Sequence, residues 1–346
     1  MLDNKLFLRF CRERNVKEST RHGYLSALKH YTNFHNITID ELIAEAMEDE
    51  KKQIPLKERR LKRRLLSYRN FLFSNTGSPH TIKTYFTKVK TFYRHFEIEI
   101  PILPDAKYDK LYETNYLDLP TRENIRLACE KVTVDLRAII LFMSSSGTAK
   151  AETLSLTVED FIDGCRDYHN GGSLREILSV LDGKDNIVPT FYLRRIKTDK
   201  FYYTFCSPEA SSEIVTYLLT RPGLRLKDPL FDFTSSTLLS KFQDLNDSMG
   251  WGFKGKYRFF RAHTLRKFHA SNIGLTSEYV DALQGRAKDE VHETYIKTNP
   301  KELKRIYMSA MKRVMVYNDS DKKSVNQEFT IIINVYINNG DVIHIT

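Results

Sequence analysis

Apolar residues recur every three or four positions through most of the first hundred residues. The stretches with this pattern are residues 5–12, 24–34, 61–72 and 82–96. Such spacing is typical of amphipathic helices. An acidic segment that begins at Asp40 adds a short helix between the second and third stretches. The pattern therefore predicts a compact domain of four or five helices over residues 1–100.

Residues that favour helix N-termini precede two of these helices. Ser19 and Thr20 stand before the second helix, and Ser78 followed by Pro79 stands before the last one. A hydroxyl oxygen can accept a hydrogen bond from the first free N–H groups of a helix, and proline fits the first helical turn. We therefore expect a helix to begin at each of these places.

A second pattern begins after residue 100. Two prolines stiffen a segment with little periodicity, which predicts a linker at 101–118. The second domain, residues 119–318, should begin with a helix capped by Thr121 and continue with an apolar helix at 134–145. Gly147 then permits a turn.

Strand-like segments interrupt the helices of the second domain. Residues 177–181 form an apolar run. Residues 191–196 and 201–205 flank a short turn at 197–200, which predicts a hairpin. Residues 207–316 are mostly helical in pattern. The expected fold class is therefore mainly α with a small antiparallel β-sheet (α+β).

Residues 319–346 form a C-terminal tail with its own turn signal. Asn339-Gly340 lies between two β-rich arms, which predicts a β-hairpin. A free apolar hairpin tends to associate with another surface. It is expected to pack on its own domain or, as the favoured alternative, to dock on a neighbouring copy of the chain.

The composition adds a basic excess to this pattern. Lys and Arg exceed Asp and Glu by 54 to 44 in 346 residues, a formal net charge of +10. Such an excess favours a polyanionic partner, nucleic acid first and an anionic membrane surface second. The four cysteines form no Cys-x-x-Cys pair, which argues against a zinc site and a disulfide framework. Without a bilayer-length apolar run or a signal-peptide pattern, we expect a cytoplasmic setting.

The helix after Pro55 has a dense cationic face beside its apolar seam. Its basic residues are Lys57, Arg59, Arg60, Lys62, Arg63 and Arg64. Such a charge run is usually a solvated helix face, and in a DNA-binding protein it contacts phosphates along a duplex. The net charge, together with the motif at 262–295, favours DNA contact here.

Residues 262–295 carry the strongest chemical signal. His263 and Arg266 are three residues apart and so share one face of a helix. Arg286 precedes Tyr295 by nine residues. A tyrosine that attacks a phosphodiester needs hydrogen-bond donors for the charge that develops on the non-bridging oxygens, and a proton donor for the leaving oxygen. The alternative is a basic helix pair on a protein surface.

With these residues the chain resembles the tyrosine recombinase (phage integrase) family, most closely its archaeal, archaeal-virus or plasmid branch. The resemblance covers nearly the whole chain. His263 and Arg266 match the family's second box, His-x-x-Arg. Arg286, after Gly285, stands where the family usually has histidine or tryptophan, and Tyr295 falls on the nucleophile. The resemblance implies a helical DNA-clamping domain followed by a catalytic domain.

The hairpin turn carries the general acid that the resemblance implies. Lys197 matches the lysine expected to protonate the departing 5′ oxygen. Lys200 lies at the same hairpin tip and is expected to contact DNA. Without the family context, both lysines fit an ordinary solvated turn.

The first box departs from the family pattern. Relatives have Gly-x-Arg-x-x-Glu or, in the archaeal branch, Gly-x-x-Arg-x-Glu, whereas this chain has Gly147-Thr-Ala149-Lys150-Ala-Glu152. Lys150 keeps a positive charge but lacks the planar fork that grips two phosphate oxygens. Glu152 is expected to orient this cation. The departure implies reduced efficiency or impaired cleavage.

The resemblance implies cleavage and rejoining of DNA through a 3′-phosphotyrosyl bond on Tyr295. The residues that would stabilise the transition state are Arg266, Arg286, Lys150 and His263. No cofactor and no metal is expected, because protein cations take that role. The implied partners are double-stranded DNA attachment sites and further copies of the chain in a homotetramer. Two alternatives stay open, a type IB topoisomerase-like enzyme and a catalytically weak DNA-binding regulator of integration and excision.

Overall fold

The computed structural model describes residues 4–75, 78–105, 115–286 and 299–317. The chain divides into two compact units, Met1–Glu113 and Thr114–Thr346. The described residues are mostly helical with two small antiparallel sheets, so the predicted fold class is confirmed. Tyr295 and the tail at 319–346, with its expected hairpin, lie outside the described residues. The finer domain boundaries, with the linker at 101–118, stay predictions.

Five helices make up the described part of the first unit. They are α1 (Lys5–Glu13), α2 (Glu18–His35), α3 (Ile39–Lys51), α4 (Arg60–Asn75) and α5 (Pro79–His95). Phe7, Tyr31 and Tyr68, from three of the predicted apolar stripes, are fully buried. The predicted cap at Ser78 is confirmed, because its hydroxyl accepts a hydrogen bond from the Thr81 N–H at 3.3 Å.

Helix α2 begins one residue before the predicted hydroxyl caps. Lys17 is its N-cap residue and makes no side-chain cap hydrogen bond, and Glu18 is its first residue. The prediction that Ser19 or Thr20 caps this helix was therefore wrong. A carboxylate in the first turn is favourable at the positive end of the helix dipole, so this start does not depend on a hydroxyl cap.

Acidic residues of α3 pair with arginines at the start of α4. The buried Asp49 accepts hydrogen bonds from the Arg60 backbone N–H at 2.7 Å and from its Nε at 2.8 Å. The further ion pairs between these segments are Arg59–Glu50, Arg60–Glu48 and Arg64–Glu45. Half of the six cations predicted to form one open basic face are therefore compensated within the unit.

The other three cations of this face are less constrained. Lys57 is exposed and lies 3.7 Å from the exposed Glu58. Lys62 is half-buried and Arg63 is exposed, and neither makes an ion pair with a residue that the structure describes. The basic surface of the first unit is thus narrower than the sequence indicated.

We expect Asp49→Asn to lower the free energy of unfolding by about 1–2 kcal/mol near neutral pH, because Arg60 loses a charged acceptor. Burial alone would raise the pKa of Asp49, but hydrogen bonds from Arg60 and its positive charge outweigh burial and lower it. A lowered pKa adds stability above the unfolded-state value of about 4. That contribution is lost as the pH falls through the folded-state value.

Denaturant unfolding of the whole chain across this pH range measures the effect of Asp49→Asn. The difference from the unmodified protein should be full near neutral pH and should shrink below about pH 4. Asp163→Asn, at an exposed ion pair with Arg166, is the control and should cost less than about 0.5 kcal/mol. Equal losses in both variants, or a difference that does not change with pH, would contradict the role given to Asp49.

The described part of the second unit contains ten helices and four strands. The helices are α6 (Arg122–Lys131), α7 (Val134–Ser146), α8 (Lys150–Leu154), α9 (Val158–Gly164), α10 (Leu174–Asp182), α11 (Pro208–Leu219), α12 (Ser235–Ser248), α13 (Ala262–Asn272), α14 (Ser277–Leu283) and α15 (Pro300–Ala310). The strands are β1 (Thr190–Arg195), β2 (Lys200–Phe205), β3 (Phe253–Lys254) and β4 (Tyr257–Arg258). Short 3₁₀ turns lie at Tyr116–Asp118, Arg166–Tyr168 and Met311–Arg313. The predicted cap at Thr121 is confirmed.

The apolar run at 177–181 lies in a helix rather than in the predicted strand. Helix α10 covers it, and Ser173 with Glu176 forms a capping box at its start. The buried positions follow a helical period, whereas Val180 is exposed. The strand prediction was wrong because a short apolar run does not by itself distinguish a strand from a buried helix.

Helix α7 lies at the centre of the second unit, and every residue from 138 to 146 is buried. Helices α11 and α13 pack against it. The predicted hairpin is confirmed, because β1 pairs with β2 and Arg195 stands opposite Lys200 next to the turn. Gly147 ends α7 with a φ of 67°, the turn that the sequence indicated. Helix α7 packs against α13, and strand β2 of the hairpin packs against α14.

A second, much shorter hairpin was not predicted. Strand β3 pairs with β4 through Phe253 with Arg258 and Lys254 with Tyr257. Strands of two residues are too short for an alternation of apolar and polar positions to be visible in the sequence.

Candidate active site

Arg266 on α13 is the centre of the candidate site. Its side chain is buried, with 6% of its surface exposed. Nη1 donates to the Gly147 carbonyl and Nη2 donates to the Gln284 carbonyl, both at 2.7 Å. One guanidinium therefore joins the end of α7 to the end of α14. Five N–H donors are available on arginine, so donors remain for a ligand.

Gln284 forms the opposite wall of the site. Its Nε2 donates to the Arg266 carbonyl at 3.1 Å and lies 3.0 Å from Nδ1 of His269. Its own carbonyl also accepts from Nη1 of Arg195 at 2.7 Å. Gln284, His269 and Arg195 were not predicted as site residues from the sequence. Two signals were available, since His269 lies three residues after Arg266 and Gln284 directly precedes Gly285-Arg286.

The buried groups around Arg266 have strongly shifted acidities. Burial, followed by the neighbouring charge of Arg195, lowers the pKa of Arg266 to about 10. Burial, followed by the charges of Arg266 and Arg286, lowers the pKa of His269 to about 3. At neutral pH, Arg266 is therefore cationic and His269 is neutral. The site concentrates arginine charge without adding an imidazolium.

His263 and Arg286 stand at the outer side of this group. His263 is exposed near the start of α13. Partial desolvation, followed by the charges of Arg261, Lys267, Arg266 and Arg286, lowers its pKa to about 4. Arg286 is exposed, and its Nη1 lies 3.4 Å from Oδ1 of Asp281. The three arginines Arg195, Arg266 and Arg286 are called the arginine cluster below. A neutral His263 can donate one hydrogen bond and accept one at the rim of this cluster.

Glu152 is buried beside the arginines, with only 3% of its surface exposed. Its Oε2 has no hydrogen-bond partner among the described residues. Its negative charge acts on Arg266 and on the buried phenol of Tyr202, and burial followed by this charge raises the pKa of Tyr202. Residues two apart on a helix do not face each other, and among the described residues Glu152 makes no ion pair with Lys150 or with Arg266.

Lys150, the first residue of α8, is directed toward α12. Its Nζ donates to the Ser235 carbonyl at 3.4 Å. The ammonium of Lys150 therefore has a backbone acceptor beside α12, at a position open to solvent.

The β1–β2 turn presents Lys197 as the sequence indicated. Lys197 is exposed within the turn, and Lys200 begins β2. An ion pair between Arg194 and Asp199 spans the turn, and Asp199 has a φ of 62°. These contacts hold the turn in one conformation. Arg195, at the base of the same turn, links it to Gln284.

Two glycines allow the close packing of the site. A Cβ on Gly147 would lie 2.5 Å from Nδ1 of His269, and a Cβ on Gly285 would lie 2.4 Å from the ring of Tyr202. Gly285 also has a φ of 59°, which costs other residues about 1–2 kcal/mol. Only glycine therefore fits both positions without moving the wall of the site.

Gly285→Ala is expected to destabilise the protein more than Gly223→Ala. Gly223 has a φ of 64° and nothing within 4 Å of an added Cβ, so its substitution costs only the backbone strain. Gly285→Ala must also displace Tyr202, which adds about 1–3 kcal/mol of overpacking. Denaturant unfolding of both variants measures the difference. Equal losses would show that Tyr202 does not pack tightly on Gly285.

The described ranges contain no group of three or more His, Cys, Asp or Glu side chains that could hold a metal ion. Along the same ranges, no helix combines the length and the apolarity needed to cross a bilayer. The charged groups that characterise the site are thus arginines. Clustered guanidiniums suit a phosphate or another oxyanion, because they offer paired N–H donors and positive charge.

Solved structures of similar architecture come from integrases and recombinases. A lambda integrase fragment, in a dimer bound to a COC′ core site, aligns with a TM-score of 0.53 at 14% identity, over 85% of this chain and 97% of that chain. This chain has the fold of lambda integrase. A lambda integrase tetramer bound to a Holliday junction aligns with a TM-score of 0.51 at 13% identity, over 84% of this chain and 75% of that chain.

Another recombinase aligns with a lower TM-score than lambda integrase. XerA recombinase is 18% identical over 88% of this chain and 96% of that chain, with a TM-score of 0.36. No family model matches the sequence, and no curated protein matches it. The lambda integrase fold therefore covers most of the chain at 14% sequence identity.

Proposed function

We propose that the chain is a site-specific DNA recombinase that cleaves and rejoins DNA through Tyr295. The observation that carries this proposal is the buried Arg266, which is fixed by two backbone carbonyls and flanked by His263 and Arg286. The lambda integrase fold supports it. Without an anion this cluster of like charges is unfavourable, and a scissile phosphate supplies one.

The proposed reaction exchanges one phosphodiester for another. The phenol of Tyr295 gives up its proton to water and its oxygen attacks phosphorus. The bond from phosphorus to the 5′ oxygen breaks, and a 3′-phosphotyrosyl bond forms. Lys197 donates the proton that the departing 5′ hydroxyl requires. A 5′ hydroxyl from another strand then reverses the steps and releases Tyr295. The bond energy stays in the covalent intermediate, so no nucleotide cofactor is consumed.

The other predicted site residues would serve the charge that develops on phosphorus. Arg266 and Arg286 would donate to non-bridging oxygens. His263, which is neutral at neutral pH, would donate one hydrogen bond rather than a full proton. Lys150 would add positive charge from the first box, and Glu152 would hold Arg266 in orientation.

DNA contact outside the site is proposed for the basic residues of the first unit and for Lys200. Lys57, Lys62 and Arg63 are the favoured phosphate contacts. Arg59, Arg60 and Arg64 would have to exchange their carboxylate partners for phosphates. The proposed substrate is a double-stranded attachment site in the cytoplasm of the host cell, as for an archaeal mobile element or virus.

A homotetramer on DNA is part of the same proposal, because exchange between two duplexes needs four cleavage sites. The lambda integrase tetramer on a Holliday junction supports this arrangement. Deletion of residues 324–346 should then weaken assembly and leave DNA binding intact. Normal assembly of the truncated chain would contradict a role of the tail in multimer formation.

A second candidate function is DNA binding with little or no cleavage, as in a regulator of integration and excision. The lysine in the first box favours it, because Lys150 lacks the planar fork that grips two phosphate oxygens and its ammonium donates to the Ser235 carbonyl. A type IB topoisomerase-like enzyme would share the chemistry but relax DNA without exchanging strands.

Covalent capture separates these functions. The protein is incubated with sheared DNA of its own replicon and host, adducts are trapped with denaturant, and the attached DNA is sequenced. The recovered sequence is then rebuilt as a nicked duplex that loses its short end on cleavage. A recombinase forms an adduct and exchanges strands between two such duplexes, whereas a topoisomerase only relaxes supercoils. If the protein binds DNA but neither it nor Lys150→Arg forms an adduct, the result would support the DNA-binding regulator and exclude both enzymes.

A further inference from the structure

Arg195 and Arg266 share one hydrogen-bond acceptor. Nη1 of Arg195 and Nη2 of Arg266 each donate to the carbonyl oxygen of Gln284 at 2.7 Å. Their guanidiniums are therefore neighbours, although they reach the oxygen from β1 and from α13. Like charges this close repel each other in a partly buried site. Among the described residues, neither guanidinium has an ion-pair partner that would offset this repulsion.

The residues that the structure describes leave one donor of the Arg195 guanidinium without a partner. Its Nε is buried and has no hydrogen-bond partner among the described residues. Buried donors are nearly always satisfied by protein, water or ligand. The carboxylate of Glu152 lies within electrostatic reach of Arg266, and one carboxylate does not balance two adjacent guanidiniums. Both features indicate an anion that binds between the arginines.

We propose that Arg195 provides the second guanidinium of the phosphate-binding site, the part that the first-box arginine plays in the family that the chain resembles. This inference rests on the proposed function. Lys150 stands in the first box but donates to the Ser235 carbonyl. Arg195 instead lies beside Arg266 and offers the planar fork that lysine lacks.

The position of Arg195 suits a phosphate held between the hairpin and α13. Arg195 is the last residue of β1, and Lys197 follows it in the turn. A non-bridging oxygen bound by Arg195 and Arg266 would leave the 5′ oxygen of the same phosphate to Lys197. Arg195, which would bind the developing charge, and Lys197, which would protonate the leaving oxygen, would thus come from one hairpin.

Arg195→Ala tests this proposal on the nicked duplex recovered by covalent capture. Loss of one preorganised donor should slow adduct formation by about 10²–10³-fold. Lys150→Ala should slow it by less than about tenfold, because Lys150 donates to the Ser235 carbonyl and lacks the planar fork of a guanidinium. Arg166→Ala, at an exposed arginine, is the matched control and should leave the rate unchanged. Arg195→Lys, which restores charge without the fork, should recover only part of the rate.

A neutral substrate distinguishes phosphate contact from mere positioning. The duplex is also made with a methylphosphonate at the scissile position, which removes one negative oxygen. If Arg195 neutralises that oxygen, the deficit of Arg195→Ala relative to the unmodified protein should shrink to about tenfold or less. Thermal melting confirms that each variant is folded. If Arg195→Ala does not fold, Arg195→Lys is compared on the two substrates.

Three results would overturn the assignment of Arg195. They are a cleavage rate of Arg195→Ala within about tenfold of the unmodified protein, an equal deficit on both substrates, and a larger deficit for Lys150→Ala than for Arg195→Ala. A protein that forms no adduct on either substrate would refute the proposed function itself and this inference with it.

Discussion

Arg266→Lys should abolish detectable adduct formation and lower the free energy of unfolding by about 2–4 kcal/mol. Arg266 binds the Gly147 and Gln284 carbonyls with two different nitrogens. A single ammonium cannot reproduce the two hydrogen bonds that the planar guanidinium makes to the carbonyls of two different elements. The Gly147 carbonyl would lose its buried donor, which costs about 1–3 kcal/mol.

The catalytic loss should exceed what destabilisation alone explains. Lysine cannot offer two parallel N–H donors to a phosphate, and removal of one such donor costs about 10²–10³-fold in rate. Loss of a fixed fork that also holds Gln284 should cost more, about 10³–10⁴-fold. Rates are compared at a temperature where both proteins are folded, as judged by circular dichroism.

Lys267→Ala is the matched control for Arg266→Lys. Lys267 is the next residue of α13 and is only half-buried. Its loss should change stability by less than about 0.5 kcal/mol and should leave cleavage within about threefold. An Arg266→Lys protein that is as stable and as active as Lys267→Ala would contradict the central place given to Arg266.

Tyr295→Phe should remove the covalent adduct completely while DNA binding persists. Phenylalanine keeps the ring but has no oxygen to attack phosphorus, so no partial activity is expected. The affinity for the duplex depends on phosphate contacts elsewhere and should change by less than about threefold. Denaturing gels measure the adduct, and fluorescence anisotropy measures binding to the same DNA.

Tyr279→Phe provides the comparison for the loss of a hydroxyl. Tyr279 lies on α14 and packs partly on the core of the second unit. It belongs to the same stretch, 262–295, but has no proposed part in the reaction. Its substitution should leave adduct formation intact. An adduct that survives Tyr295→Phe and disappears in Tyr279→Phe would identify Tyr279, and not Tyr295, as the nucleophile.

Many local features of the fold and site could be predicted from the sequence. The helical period gave α5, α7 and the two residues His263 and Arg266 on α13. The turn at Gly147 and the hairpin that carries Lys197 also follow from local chemistry. Each of these depends on residues a few positions apart, where spacing and turn preferences are informative.

The long-range contacts could not be predicted in the same way. Arg195 lies 89 residues from Gln284 in sequence, and only the fold brings its guanidinium to that carbonyl. Ion pairs with α3 that compensate Arg60 likewise join separate helices. The sequence analysis therefore predicted too many unpaired cations in the first unit and too few cations in the site. Charge alone does not reveal which arginine has a carboxylate partner.

The linkage of DNA to the protein tests the account most directly. The trapped adduct is digested with trypsin and a nuclease, and the peptide that retains a nucleotide is identified by tandem mass spectrometry. If Tyr295 is the nucleophile, we expect a nucleotide joined through its 3′ phosphate to the oxygen of Tyr295, with a free 5′ hydroxyl on the released strand. A nucleotide on another residue, a 5′-phosphate linkage, or no modified peptide from a protein that binds its site would contradict it.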